Sequence, residues 1–396
     1  MEFDREFLYY LEQLKKENPN LLEEFVLEYL TRLDVIFPTL SQNIPLITKL
    51  ASLYINCFSS ISLDESAYLK YEDMDIFTTL ELVRKFLSML DENYLAEFDR
   101  CLSDGTITFL YNNKSDSVCQ EAGDNIDVNV SINYTVLDGC NLIHEFFHYL
   151  NSKPNISESR ELFTEYISIY FESLYMIFLV RMGYSKNVIR NEILLRIDDS
   201  LNYAYLVLMA GAVLDSYLNT GNINTRSIIF LDIYRKSYKE FLQDISDLKK
   251  SDCFFETVAN FDESVGYFIG YLLTFHSLKD LSLGTIKCLY INKNVNDISI
   301  EEIMHTLNVD DSNFKYLILD AIEALSDVFK VHFDEDKLSN ILGISVEEIR
   351  KYLDDSEGSF GGLYGSDNSY SGAYRSGKNK VKRKLIENTK RRNNKC

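Results

Sequence analysis

The chain has 396 residues, 46% of them apolar, which is enough to bury a sizeable core and excludes a disordered or fibrous polymer. Sixty-one acidic against 40 basic residues give a formal charge of −21, and the asymmetry is larger than that: from residue 356 onward there are ten basic and three acidic residues, so the first 355 carry −28. An acidic body argues against nucleic acid as the main partner and suits neutral or basic peptides.

Prolines are confined to Pro19, Pro38, Pro45 and Pro154, and glycine is sparse before residue 358, so few breakers interrupt the body and it should be mostly helical. The seven cysteines (Cys57, Cys101, Cys119, Cys140, Cys253, Cys288 and Cys396) are scattered, odd in number and without C-x-x-C spacing, which reads as reduced thiols. The first residues are charged and lack the basic and apolar regions of a signal peptide, and the longest apolar run, Leu201 to Leu214, is too short to span a bilayer. A cytoplasmic protein without a membrane span is the expectation.

Residues 1 to 101 read as successive amphipathic helices. Phe3, Phe7, Leu8, Leu11 and Leu14 fall at helical spacing, as do Leu22, Phe25, Val26, Tyr29 and Leu30, and a further pattern runs from Met74 to Leu90. The period then changes. Thr106 to Tyr111 and Ile126 to Val136 alternate apolar and polar residues and predict two strands, the second with Ile126, Val128, Val130, Ile132 and Tyr134 facing inward; the polar stretch Lys114 to Asp124 connects them. Asp138-Gly139 makes a turn, and Asp138 or Asn141 is placed to cap the next helix.

That helix carries His144-Glu145-Phe146-Phe147-His148, the H-E-x-x-H pattern. Two histidines four residues apart project from one helical face, where both imidazoles reach a single metal ion. A catalytic zinc site needs three protein ligands and an open position, so one ligand has to come from downstream, and Glu145 is left as general base. After the loop Asn151 to Asn155, a helical pattern runs from Ser157 to about Met182. Glu158, Glu161, Glu165 and Glu172 lie near one stripe of it, with Phe163, Ile167, Tyr170, Leu174 and Ile177 on the core side. Carboxylates on one face repel unless a cation joins them. Glu161 and Glu165 are both open as the third ligand; with Glu161 in that place, Glu165 one turn later can accept a hydrogen bond from a ligand histidine.

Here the chain resembles the gluzincins, zinc metallopeptidases whose third ligand is a glutamate on the helix after H-E-x-x-H, and within them oligopeptidases of the thimet oligopeptidase and oligoendopeptidase F type. Glu165-Tyr-Ile-Ser168-Ile-Tyr-Phe-Glu172 matches their second motif, Glu-x-x-Ser-x-x-x-Glu; Phe147 and Asn151 stand where that family carries a glycine and a third histidine. The resemblance implies His144, His148 and Glu165 as zinc ligands, with Glu172 a carboxylate behind them. It also implies an edge strand, leading into the motif helix, that holds extended substrate. Ser264 to His276 resembles the cleft helix whose tyrosines donate to the scissile carbonyl, so Tyr267, Tyr271 and His276 are candidate catalytic donors. The same residues, with Gly266 and Gly270, equally make a buried packing stripe. His305 and His332 fall in later helical patterns and are not expected to be ligands.

From Ile298 to Asp355 short helices follow: Ile300 to Leu307, Phe314 to Val328, and Lys337 to Leu353. In the last, Gly343 turns the chain and Ser345 with Glu348 has capping-box spacing. It resembles a helix-turn-helix, but its second helix is acidic, so no sequence-specific nucleic acid binding is expected. From Ser356 the composition shifts to Gly, Ser, Tyr and Asn and then to a basic run, a disordered tail open to an anionic partner.

The expected fold class is mainly α with a small β-sheet (α+β), a zincin-like core in an oligopeptidase-like helical architecture. The expected regions are 1–101 N-terminal helical, 102–297 catalytic, 298–355 C-terminal helical and 356–396 tail. The expected activity is Zn2+-dependent hydrolysis of peptide substrates, oligopeptides as the resemblance implies, by Glu145-assisted attack of zinc-bound water. A metal-free helical adaptor with a degenerate motif, and a regulatory protease with one protein target, are the competing readings.

Overall fold

Helix α1 (Pro19–Ile36), the short α2 (Pro38–Gln42) and α3 (Ile44–Phe58) open the part of the chain that the computed structural model describes, namely residues 19–61, 73–111, 117–122, 125–151, 164–222, 258–278 and 314–354. Residues up to Glu357 form one compact unit, and the tail from Gly358 lies outside the described residues. Pro38 and Pro45 fall in the first turns of α2 and α3, where a missing backbone N–H costs nothing. Helix α4 (Ile76–Leu90) is capped by Asp75, whose carboxylate accepts the N–H of Phe77 at 2.9 Å and of Thr78 at 3.0 Å. Helix α5 (Glu92–Asp104) ends at Gly105, whose φ of +82° only glycine adopts without strain.

The sheet has three strands, β1 (Ile107–Tyr111), β2 (Val118–Ala122) and β3 (Asn125–Ile132), in the order β1-β3-β2. Three expectations are corrected here. Strand β2 lies in the stretch read as a connection, because its Val-Cys-Gln-Glu-Ala sequence is too polar to show an apolar alternation, yet it pairs antiparallel with β3. Strand β3 is consequently central, parallel to β1 on its other side, and the strand leading into the motif helix is not an edge. It also stops at Ile132: Tyr134 has a φ of +58° and is exposed, so the alternation ends in a turn instead of continuing to Val136. The buried Asp138 carboxylate holds that turn, accepting the N–H groups of Asn133 and Thr135.

Helix α6 (Asp138–Asn151) lies on β3 and against α7 (Thr164–Arg181), with Phe147 stacked on Phe171 at 3.7 Å and Phe98 of α5 edge-on to Phe146. The close start of this pair depends on Gly139, where an added Cβ would run into the Tyr175 ring. Helix α7 is buried around its whole circumference, from Tyr166 and Ile167 through Glu172 to Leu179. The amphipathic reading of this segment is therefore corrected: α6 and α9 pack along it, with α8, Phe86 of α4 and Tyr94 of α5 adding to the cover, so Ser168, Glu172 and Ser173 on it are buried.

Helix α8 (Lys186–Thr220) runs beside α3, where Tyr54 and Ser200 share a hydrogen bond of 2.6 Å, and α9 (Phe261–Leu278) packs against α7 and α8. By length and composition α8 could cross a membrane, whereas 56% of its most apolar window is buried inside this fold. Helices α10 (Phe314–Phe329), α11 (Glu335–Leu342) and α12 (Val346–Asp354) complete the described chain. The predicted capping box forms, with Ser345 N–H donating to Glu348 and Glu348 N–H to Ser345, each at 3.2 Å. His332 is exposed in the link before α11 and not in a helix; Ile300 to Leu307, with His305, lies outside the described residues. The fold is mainly α with a small sheet.

Candidate metal centre

Helices α6 and α7 bring together three of the predicted residues. Nε2 of His144 and Nε2 of His148 are 3.0 Å apart, and the Glu165 carboxylate faces both, with Oε2 3.5 Å from His144 Nε2 and Oε1 3.3 Å from His148 Nε2. Metal bonds of about 2.0–2.1 Å at tetrahedral angles require ligand atoms about 3.3 Å apart, and the two imidazole nitrogens with one Glu165 oxygen are close enough together to hold a single ion. One side is left for a fourth ligand. Glu165 Oε2 is buried and has no aligned hydrogen-bond donor among the described residues, as expected of an oxygen aimed at a cation. The residues therefore fit a metal ion, and two imidazoles with a carboxylate suit Zn2+.

Behind the ligands, Nδ1 of His144 lies 3.1 Å from Oε2 of the buried Glu172. Burial raises the Glu172 pKa, but the nearby Arg196 charge and the His144 contact outweigh it and hold the carboxyl below its usual range. An ionised carboxylate only accepts, so Nδ1 is the donor and the Nε2 lone pair of neutral His144 faces Glu165. Without a metal, burial pulls the His144 pKa down while the nearby Glu165 and Glu172 carboxylates lift it more, to about 10. Glu165 is driven the opposite way: burial would raise it, and the two histidines hold it far below the ordinary carboxylate range.

Glu145 lies on the same helix, 8% exposed, with its carboxylate near the backbone of Cys119 on edge strand β2. Burial pushes its pKa up, partly opposed by the two histidines. Tyr267 on α9 is half-buried, stacked on Tyr203 of α8 at 4.4 Å and 9°, with its hydroxyl toward Glu165. Burial and the Glu165 charge raise its pKa well above the usual phenol value. Tyr271 is buried one turn further, near Arg196 and Glu172, so it faces the support of the site and not its open side. His276 belongs to a different cluster: its Nε2 pairs with Asp320 of α10 at 3.2 Å, about 13 Å along α9 from Tyr267. Glu161 lies outside the described residues.

Sequence reasoning did not single out Arg196. Its guanidinium is 2.6 Å from Glu172 Oε1 and 3.2 Å from Glu192, and the signal in the sequence was a Glu-Arg pair four residues apart in the charged first half of the helix. Cys57, Cys101, Cys119 and Cys140 are free thiols, while Cys253, Cys288 and Cys396 lie outside the described residues.

No protein-family model matches this chain, and no curated protein matches it. Among solved structures it is similar to one described as "Crystal structure of putative peptidase from Chlamydophila abortus", at 15% identity and a TM-score of 0.46. The alignment covers 90% of this chain and 63% of that one, so the chain spans less than two thirds of its length.

Proposed function

We propose that the protein is a zinc metallopeptidase of gluzincin type that hydrolyses peptide bonds in oligopeptides. The observation that carries this reading is the spacing of 3.0, 3.3 and 3.5 Å among His144, His148 and Glu165 beside the buried Glu145. A zinc ion in that position supplies a Lewis acid that polarises a carbonyl and makes water nucleophilic near neutral pH.

The chain's own residues then have separate tasks. His144, His148 and Glu165 bind the ion, and Glu172 orients His144 through Nδ1. Glu145, its pKa raised by burial, accepts the proton of the attacking water and returns it to the leaving amine. The backbone of Cys119 near that carboxylate places edge strand β2 alongside the reacting groups. Tyr267, whose phenol stays protonated, is the donor available on the α9 side for the oxygen that gains charge.

Quenched-fluorescence peptide libraries test the reading. Cleavage is expected for short unstructured peptides, abolished by a chelator, restored by zinc, and at least about 10²-fold slower in Glu145→Gln. Cleavage insensitive to chelation, or no cleavage of any peptide by zinc-loaded protein, would contradict it.

A further inference from the structure

The support behind His144 reaches further than one carboxylate. Glu172 has 3% of its side chain exposed and stands between two partners, with Oε2 3.1 Å from His144 Nδ1 and Oε1 2.6 Å from Arg196 Nη2. Arg196 comes from α8, a helix that contributes no ligand, and it also contacts Glu192 at 3.2 Å and Asp199 at 3.9 Å on its own helix. The contact on Oε1 is one of charge, since no donor is aligned on that oxygen. A buried anion needs a counter-charge, and Glu192 and Asp199 would occupy Arg196 on α8 if it had no role across the interface. Its position close to Glu172 instead fixes which carboxylate oxygen is free for the imidazole.

We propose that Arg196 is a positioning residue for the metal site: it anchors one oxygen of Glu172 so that the other holds the Nδ1 proton of His144 and leaves Nε2 turned toward Glu165. Helix α8 thereby becomes part of the metal centre without touching the ion. The inference rests on the metallopeptidase reading only in requiring that the three ligands bind a divalent metal; it does not depend on the substrate.

Cobalt(II) and zinc dissociation constants, measured by chelator competition on the full chain, test it in the wild type, R196M, R196K, E172Q and the double variant R196M/E172Q. Removing a group that orients a ligand typically weakens binding by about 10–100-fold, which is the loss expected for R196M, with a smaller loss for R196K. The cobalt absorption bands should shift in R196M, a change that a general loss of stability does not produce. Because Arg196 acts through Glu172, R196M should add little once E172Q is present. R196K keeps the charge and makes the measurement possible if R196M does not fold. Wild-type affinity and unchanged cobalt bands in R196M or R196K, or full additivity with E172Q, would overturn the proposal while leaving the metal site standing. A wild-type chain that binds neither cobalt nor zinc would remove the metal reading and this inference together.

Discussion

Gly270 of α9 lies directly against the backbone of Glu165: a Cβ added there would stand 3.3 Å from the Glu165 carbonyl carbon and 3.1 Å from the Tyr166 nitrogen. The helix that carries Glu165 is thus seated by a glycine on its neighbour. Two side-chain contacts lock the seat, Tyr166 with Ser277 at 2.6 Å and Thr274 to the Tyr166 carbonyl at 3.4 Å.

Gly270→Ala should therefore act on the metal site without touching any ligand. The methyl group meets backbone, which yields less readily than a flexible side chain, and overpacking of this kind costs about 1–3 kcal/mol. Thermal unfolding should register that loss, and a metal titration should show weaker binding because Glu165 is pushed from its place opposite the histidines. Unchanged affinity and stability would mean that the α7 and α9 backbones are not in contact.

Metal uptake should be proton-coupled. The His144 pKa of about 10 in the metal-free protein means that the ion displaces a proton at neutral pH. Apparent affinity should then rise as pH increases, by about tenfold per unit for a single displaced proton. Isothermal titration in buffers of different ionisation enthalpy would count the protons released; a count of zero at neutral pH would contradict this protonation state.

The same group makes metal-free stability fall in alkali. Its folded value of about 10 exceeds its ordinary 6.5, so the stabilising contribution is complete below about 6.5 and is lost as pH rises through 10. Melting temperatures of chelated protein between those limits should decline, and zinc should abolish the decline by replacing the proton. A flat profile for the chelated protein would exclude it.

Glu145 and Tyr267 should separate chemistry from binding. Glu145→Gln is expected to keep its zinc and lose about 10²–10⁴-fold in kcat, the usual share of a general base. Tyr267→Phe should lower kcat by about 10²-fold through loss of an oxyanion donor, with KM and metal content little changed. Zinc lost from Tyr267→Phe would instead assign the hydroxyl to holding Glu165.

How much of this was legible in the sequence depended on how local each feature is. His144 and His148 lie within one helical turn of each other, so their convergence follows from helical geometry. Glu165 and Glu172 were legible as carboxylates on a following helix, two turns apart, with the second able to support the first pair. Strand β2 was hidden because an edge strand of polar residues carries no apolar alternation; its partners on β3 supply the order. Arg196 was hidden for another reason: its partner Glu172 lies on a different helix, and the packing of α7 against α8 is not encoded in any short spacing. His276 marks the opposite error. The family resemblance grouped it with Tyr267, but length along α9 separates them, and Asp320 pairs with it.

The most direct test of the metal centre is elemental analysis of the purified protein beside His148→Ala and Glu165→Gln. About one zinc per chain is expected in the wild type, as for a single three-ligand site, and none in either variant. Zinc absent from wild-type protein prepared without chelator, and not taken up on reconstitution, would contradict the account; zinc retained by Glu165→Gln would remove Glu165 as the third ligand.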